Sequence, residues 1–170
     1  MGAFDSLLDQ CNDFSLKVLL KKISVYQEYF HLMHADQDSY ADFLQIAPKI
    51  PEQVKSWYRL FNGGYLFDTA FLSTERADWG VPIKLVSFSL VNDPETRKDM
   101  ELPAGYTVFA IASFGDVYCF ANNGSNEIVQ WSLQEHAIVG KWANFALWLS
   151  QEIGTAIELI GEDVLTPFSI

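Results

Sequence analysis

The chain has 170 residues, with 11 Lys and Arg against 22 Asp and Glu, and a formal charge of -11. A hydrophobic share of 49% and an aromatic share of 15% exclude a disordered chain, which lacks the apolar surface to offset chain entropy. The acidic balance excludes a surface for bare nucleic acid, which needs basic groups to release counterions, and no apolar run reaches the roughly 18–20 residues of a membrane helix.

The length fits one domain over residues 1–170 with a sizeable core. The acid is unevenly spread. Residues 1–98 carry 13 acids and 10 bases, whereas residues 99–170 carry 9 acids and only Lys141. The opening stretch has no basic n-region and carries Asp5 and Asp9, so no secretory signal is expected. Met1-Gly2 to Ser6 fits the loose myristoylation pattern, but no polybasic patch follows to supply a second membrane signal, and the match reads as chance. Two cysteines, Cys11 and Cys119, are too few for a disulfide framework. The simplest setting is a reducing cytoplasm.

From Phe14 to Met33 the apolar stripe Leu16, Leu19, Leu20, Ile23, Tyr26, Phe30, Met33 predicts one amphipathic helix, with Asp13 as its cap. A second helix is predicted over Ser39–Ala47, ending before Pro48. Pro51 opens a third at its first turn, with Val54, Trp57, Tyr58 and Phe61 inward and Asn62-Gly63-Gly64 as its stop. Tyr65–Ser73 reads as one strand or a bent pair, and Ile83–Asn92 fits either helix or strand.

Three strands follow, at Tyr106–Ala112, Asp116–Ala121 and Glu127–Ser132, separated by stretches of hairpin length. Asn123-Gly124-Ser125 matches a glycosylation sequon but is better explained as a hairpin turn. Ile138–Lys141 makes a fourth short strand. A last helix starts near Trp142, with Gly154 ending or weakening it. The predicted class is α+β: a single antiparallel sheet flanked by N-terminal helices and a C-terminal helix, the helices on one face.

His31-x-x-His34 with Asp36 and Asp38 is the nearest approach to a metal cluster. Two imidazoles near a helix C-terminus are also simply favourable with its dipole, and that plainer reading is preferred. His136 has no nucleophile beside it in sequence. The chain has no Gly-x-Ser-x-Gly elbow, phosphate loop or dinucleotide fingerprint. Asp68, Asp78, Asp116 and Glu127 are the carboxylates that a fold could converge, although Asp116 is better explained as an acceptor for turn N–H groups. Trp131 either packs in the core or anchors a partner, and Trp79, in a polar loop context, is the better candidate for an exposed anchor. No catalytic residue, metal or cofactor is assigned.

Three ordered stretches resemble the SUKH superfamily, the cell-wall-assembly or glucan-synthesis-regulator family. They are Ile50-Pro51-Glu52 through Trp57 and Leu60 to Asn62-Gly63-Gly64; Leu102-Pro103, Phe109-Ala110 and Gly115-Asp116-Val117-Tyr118-Cys119-Phe120; and Ile128-Val129-Gln130-Trp131 followed by Phe145 and Trp148-Leu149. The resemblance spans about residues 45–153, with order and spacing intact. One departure is the turn before Asp116, Ala-Ser-Phe-Gly, which is less glycine-rich than the family's usual turn.

The resemblance implies a non-catalytic, protein-binding domain. It implies an immunity protein that neutralises a polymorphic toxin of nuclease or deaminase type, or a regulatory scaffold in cell-wall or signalling control. The charge suits a basic toxin partner rather than nucleic acid or membrane. The expected contact set is Asp78, Trp79, Asp116, Glu127, Trp131 and Glu135. A hydrolase using paired carboxylates or the His31/His34 pair is the third reading.

Overall fold

A computed structural model describes residues 3–74 and 87–165. A first helix, α1 (Ala3–Gln10), leads into α2 (Phe14–Ile23). Asp13 caps α2 as predicted, its side chain accepting from Leu16 N–H at 2.9 Å. Leu16, Leu19, Leu20 and Ile23 form the buried face of α2.

The helix does not run on to Met33. It passes into a 3-10 segment, Ser24–Tyr29, where Tyr26 leaves helical geometry at φ -113 and ψ 32, and then into strand β1 (Phe30–His34). Phe30 and Leu32 still pack against the core, so the apolar residues beyond Ile23 serve an alternating pattern rather than a helical one.

Helix α3 (Gln37–Phe43) is shorter than predicted. Asp36 and Ser39 close a capping box at its start. Helix α4 (Glu52–Leu60) follows Pro51, with Val54, Trp57 and Tyr58 buried. It ends at Leu60, and Asn62-Gly63-Gly64 is not its stop. Those residues lie inside strand β2 (Phe61–Leu66). Gly64 sits at φ 120 opposite Leu32, and a Cβ there would overlap the His31 carbonyl oxygen. The glycine is what lets β1 approach β2.

Strand β3 (Thr69–Phe71) completes the bent pair. Beyond the undescribed segment, Ser87 makes a lone parallel bridge to Ser73 and Phe88–Val91 is a short helix, α5, so the ambiguous stretch is helical over those four residues. Helix α6 (Pro94–Asp99) follows, then strands β4 (Tyr106–Ile111), β5 (Val117–Ala121), β6 (Ile128–Ser132) and β7 (Ala137–Trp142). Helix α7 (Phe145–Leu165) passes straight through Gly154. The seven strands form one antiparallel sheet in sequential order.

Register places Val108, Cys119 and Val129 in one row, with Thr107, Phe120 and Ile128 in the next, so the two rows face opposite sides. On one side Trp57 of α4 and Phe145 and Trp148 of α7 mesh with Phe71, Phe109 and Tyr118. Aromatic pairs of this kind contribute about 0.5–1.5 kcal/mol each beyond burial. The helices are not confined to that face. The C-terminal end of α6 reaches the other side, where Trp131 Nε1–H donates to the Met100 carbonyl at 2.9 Å.

Strand β3 is too short to cover all of β4. Side chains finish the ladder instead. Asn92 accepts from Val108 N–H at 2.8 Å and donates to Val108 C=O at 3.0 Å, and Arg97 donates to Tyr106 C=O at 2.6 Å. Tyr58 Oη lies 3.0 Å from both the Leu72 and Phe109 carbonyl oxygens, tying α4 to the sheet.

Candidate functional site

Because the sheet is an antiparallel meander, alternate turns gather at one end. These are residues 67–68, 112–116 and 133–136. They carry Asp68, Asp116 and Glu135 and contain no Lys or Arg. Helix α7 passes alongside with Glu152. The bases Lys49 and Lys55 instead lie near the loop at the opposite end, where they and Gly124 line one hollow. Glu52 lines that hollow too and pairs with Lys55 at 2.6 Å, so acids and bases mix there, whereas the three turns carry acids without Lys or Arg.

Asp116 is half-buried and works within the protein. Its Oδ2 accepts from Gln130 Nε2 at 2.9 Å and its Oδ1 from Leu133 N–H at 3.3 Å. The expected turn N–H acceptance is present, but it serves the neighbouring turn. Trp131 is buried at 7% exposure and bonded to Met100, so it packs in the core and is not an exposed anchor. Glu135 is exposed in the 133–136 turn. Next to it His136, at φ 49, places Nδ1 3.6 Å from Glu101 Oε2.

Glu127 lies at the far end of β6, 3.9 Å from Lys141, so the structure does not bring it to Asp116 and Glu135. Asp78 and Trp79 lie outside the described residues. His31 and His34 sit on β1 rather than on a helix, which removes the shared helical face their spacing implied. Among the described residues, no three His, Cys, Asp or Glu side chains gather as metal ligands, and no helix is long and apolar enough to cross a membrane.

The same end holds a feature that sequence reasoning missed. Between the 67–68 and 112–116 turns and α7 lies a cleft of about 230 Å³, lined by Phe67, Asp68, Phe114, Tyr118, Glu152 and Leu159 among others. A second hollow continues past Phe67 and Leu159 to Tyr29 and Ile160. Tyr118 Oη–H donates to Glu152 Oε1 at 3.0 Å, and Thr69 Oγ1–H donates to Oε2 at 2.8 Å. Two neutral hydroxyls thus orient the half-buried carboxylate without cancelling its charge. Among the described residues no Lys, Arg or His pairs with it. Burial, then the Glu152 charge, pushes the Tyr118 phenol well above the ordinary tyrosine range, so it stays a donor.

Phe114 is 69% exposed and Leu159 52% exposed at the rim of this cleft, large apolar groups beside an acidic floor. The signal in the sequence was Phe114, a bulky apolar residue inside a turn, and Glu152, an acid on a helix that otherwise reads as core-facing.

Comparison with known proteins agrees with this frame. A search of curated proteins finds no significant match. The model of the family SUKH_6, described as SMI1-KNR4 cell-wall, matches residues 45–149, more than half of the chain. That stretch runs from the segment before α4 into the first turns of α7 and includes the whole of β2 to β7. On this match the chain belongs to the SUKH_6 family of the SUKH superfamily.

Proposed function

We propose that this protein is a non-catalytic immunity protein of the cytoplasm, which neutralises a cognate toxin of nuclease or deaminase type by covering its active site or substrate groove. Family membership supports a protein-binding or immunity-type module. The observation that carries the finer reading is an acidic cluster in turns that contain no Lys or Arg. Asp68, Asp116, Glu135 and Glu152 gather at one end of the sheet beside exposed Phe114. A nuclease or deaminase domain presents a basic groove to its nucleic acid. An acidic end competes for that groove and speeds association by charge complementarity.

The test is co-expression with the toxin encoded beside this protein in its native genome. Cells survive when both are made and die when the toxin is made alone. Equal killing in the two cases refutes the reading.

The family's description, which names the cell wall, favours a second reading: a regulatory scaffold in cell-wall control. In that case no toxin gene adjoins this one.

A further inference from the structure

The cleft at the acidic end has a shape and polarity that select one kind of occupant. Its floor is a carboxylate held in place from one side. Thr69 and Tyr118 each use one lone pair of Glu152, one on each oxygen. A carboxylate has about four acceptor sites, so two remain for a donor entering from solvent. Asp68 adds a second acid at the mouth, and no basic residue is among the groups that line the cleft. The walls are apolar and aromatic, from Phe67, Phe114, Ala156 and Leu159.

The cleft, of about 230 Å³, opens past Phe67 and Leu159 into the second hollow, so an extended side chain can enter from its mouth. The exposed faces of Phe114 and Leu159 extend the apolar surface outside the cleft, where a free metabolite would leave them uncovered and a protein would not.

We propose that this cleft receives an arginine side chain of the partner protein, with its guanidinium on Glu152 and its stem between Phe114 and Leu159. Arginine is favoured over lysine on two grounds. Its planar fork presents parallel donors to a fixed carboxylate, and its face stacks on an aromatic ring such as Phe114. The assignment rests on the protein-binding reading above, and it names the chemistry of the partner's anchor.

The test uses the full 170-residue chain and needs no toxin. The probe is the capped tripeptide Gly-Arg-Gly, with the same peptide carrying citrulline, a neutral isostere, as control. Binding is followed through the methyl NMR signals of Thr69, Thr155, Ala156 and Leu159. At about 20 mM the arginine peptide shifts these signals, and the citrulline peptide binds about tenfold more weakly. Glu152→Gln keeps an acceptor for one of the two hydroxyls and offers the other an amide N–H to accept from, but removes the charge, and it abolishes the preference for arginine. Phe114→Ala, an exposed change that leaves the core intact, weakens arginine binding about threefold or more.

Equal binding of the two peptides, no shift at these methyls, or an arginine preference that survives Glu152→Gln overturns the assignment. The immunity reading fails separately, in the survival assay, so the two failures are distinguishable.

Discussion

The Tyr118 hydroxyl donates to Glu152 Oε1 across 3.0 Å, so one hydrogen bond joins β5 to the middle of α7 and fixes the floor of the acidic cleft. Its energetic consequence appears at high pH. Burial, reinforced by Glu152, raises the Tyr118 phenol well above its ordinary value of 10, and burial alone does the same for Tyr58. The Cys119 thiol is raised above its ordinary 9 by burial. Unfolding returns all three to their ordinary ranges. Between those values and the raised ones, the folded state holds more protons than the unfolded chain, so stability falls as pH rises. The contribution is complete below about pH 9 and is lost progressively above it. Urea midpoints drop from about pH 9 upward, and Tyr118→Phe makes that drop shallower. Absorbance titration leaves at least two of the 7 tyrosines un-ionised until the protein unfolds. Titration of all of them near pH 10 in the folded protein contradicts this.

Asn92 acts as a missing strand. Its amide meets both the N–H and the C=O of Val108, where β3 has already ended. Asn92→Ala leaves both groups unpaired and destabilises the protein by about 1–3 kcal/mol. Asn92→Asp keeps the acceptor and loses the donor, and its cost falls between wild type and alanine. Chemical denaturation ranks the three.

Gly64→Ala is a test of the β1–β2 approach. The new Cβ meets the backbone of β1, which cannot swing aside like a side-chain tip, and the φ of 120 disfavours any L-residue. The expected loss is about 2 kcal/mol or more, with faster amide exchange confined at first to Phe30–His34. Protection of β1 equal to wild type contradicts the account.

Trp131 and Glu135 separate core from surface. Trp131→Ala removes a buried ring and its bond to Met100 and costs about 3–5 kcal/mol. Glu135→Ala changes an exposed side chain, so stability stays within about 0.5 kcal/mol. Loss of partner affinity in Glu135→Ala with an unchanged thermal midpoint assigns that residue to the contact. A large stability loss in Glu135→Ala contradicts its placement.

The sequence carried much of the fold because local signals agreed with global ones. Asp13 before Phe14 and Pro51 before Glu52 mark helix starts wherever the rest of the chain lies. The runs at 106–111, 117–121 and 128–132 are strands because their separators have hairpin length. The misreadings fell where a local pattern serves two structures. Phe30 continues the helical stripe of α2 and also begins a strand, and only pairing with β2 decides between them. Asn62-Gly63-Gly64 has the composition of a helix stop, yet Gly64 is there for the close approach of β1.

Of the candidate site, the carboxylates Asp68, Asp116 and Glu135 were legible, and their gathering follows from the meander. Glu152 was not. It is 34 residues from Tyr118, and nothing local tells a helical acid that faces solvent from one that meets two hydroxyls of the sheet. Trp131 fits core or anchor on sequence alone, and the Met100 carbonyl at the end of α6, which accepts its indole N–H, decides for the core.

The central claim is tested most directly by titrating the purified protein into its purified cognate toxin and following the toxin's activity on nucleic acid. The account predicts full inhibition at one equivalent, with an association rate that falls about tenfold or more between low and high salt as the charges are screened. Toxin activity unchanged by an excess of this protein contradicts it.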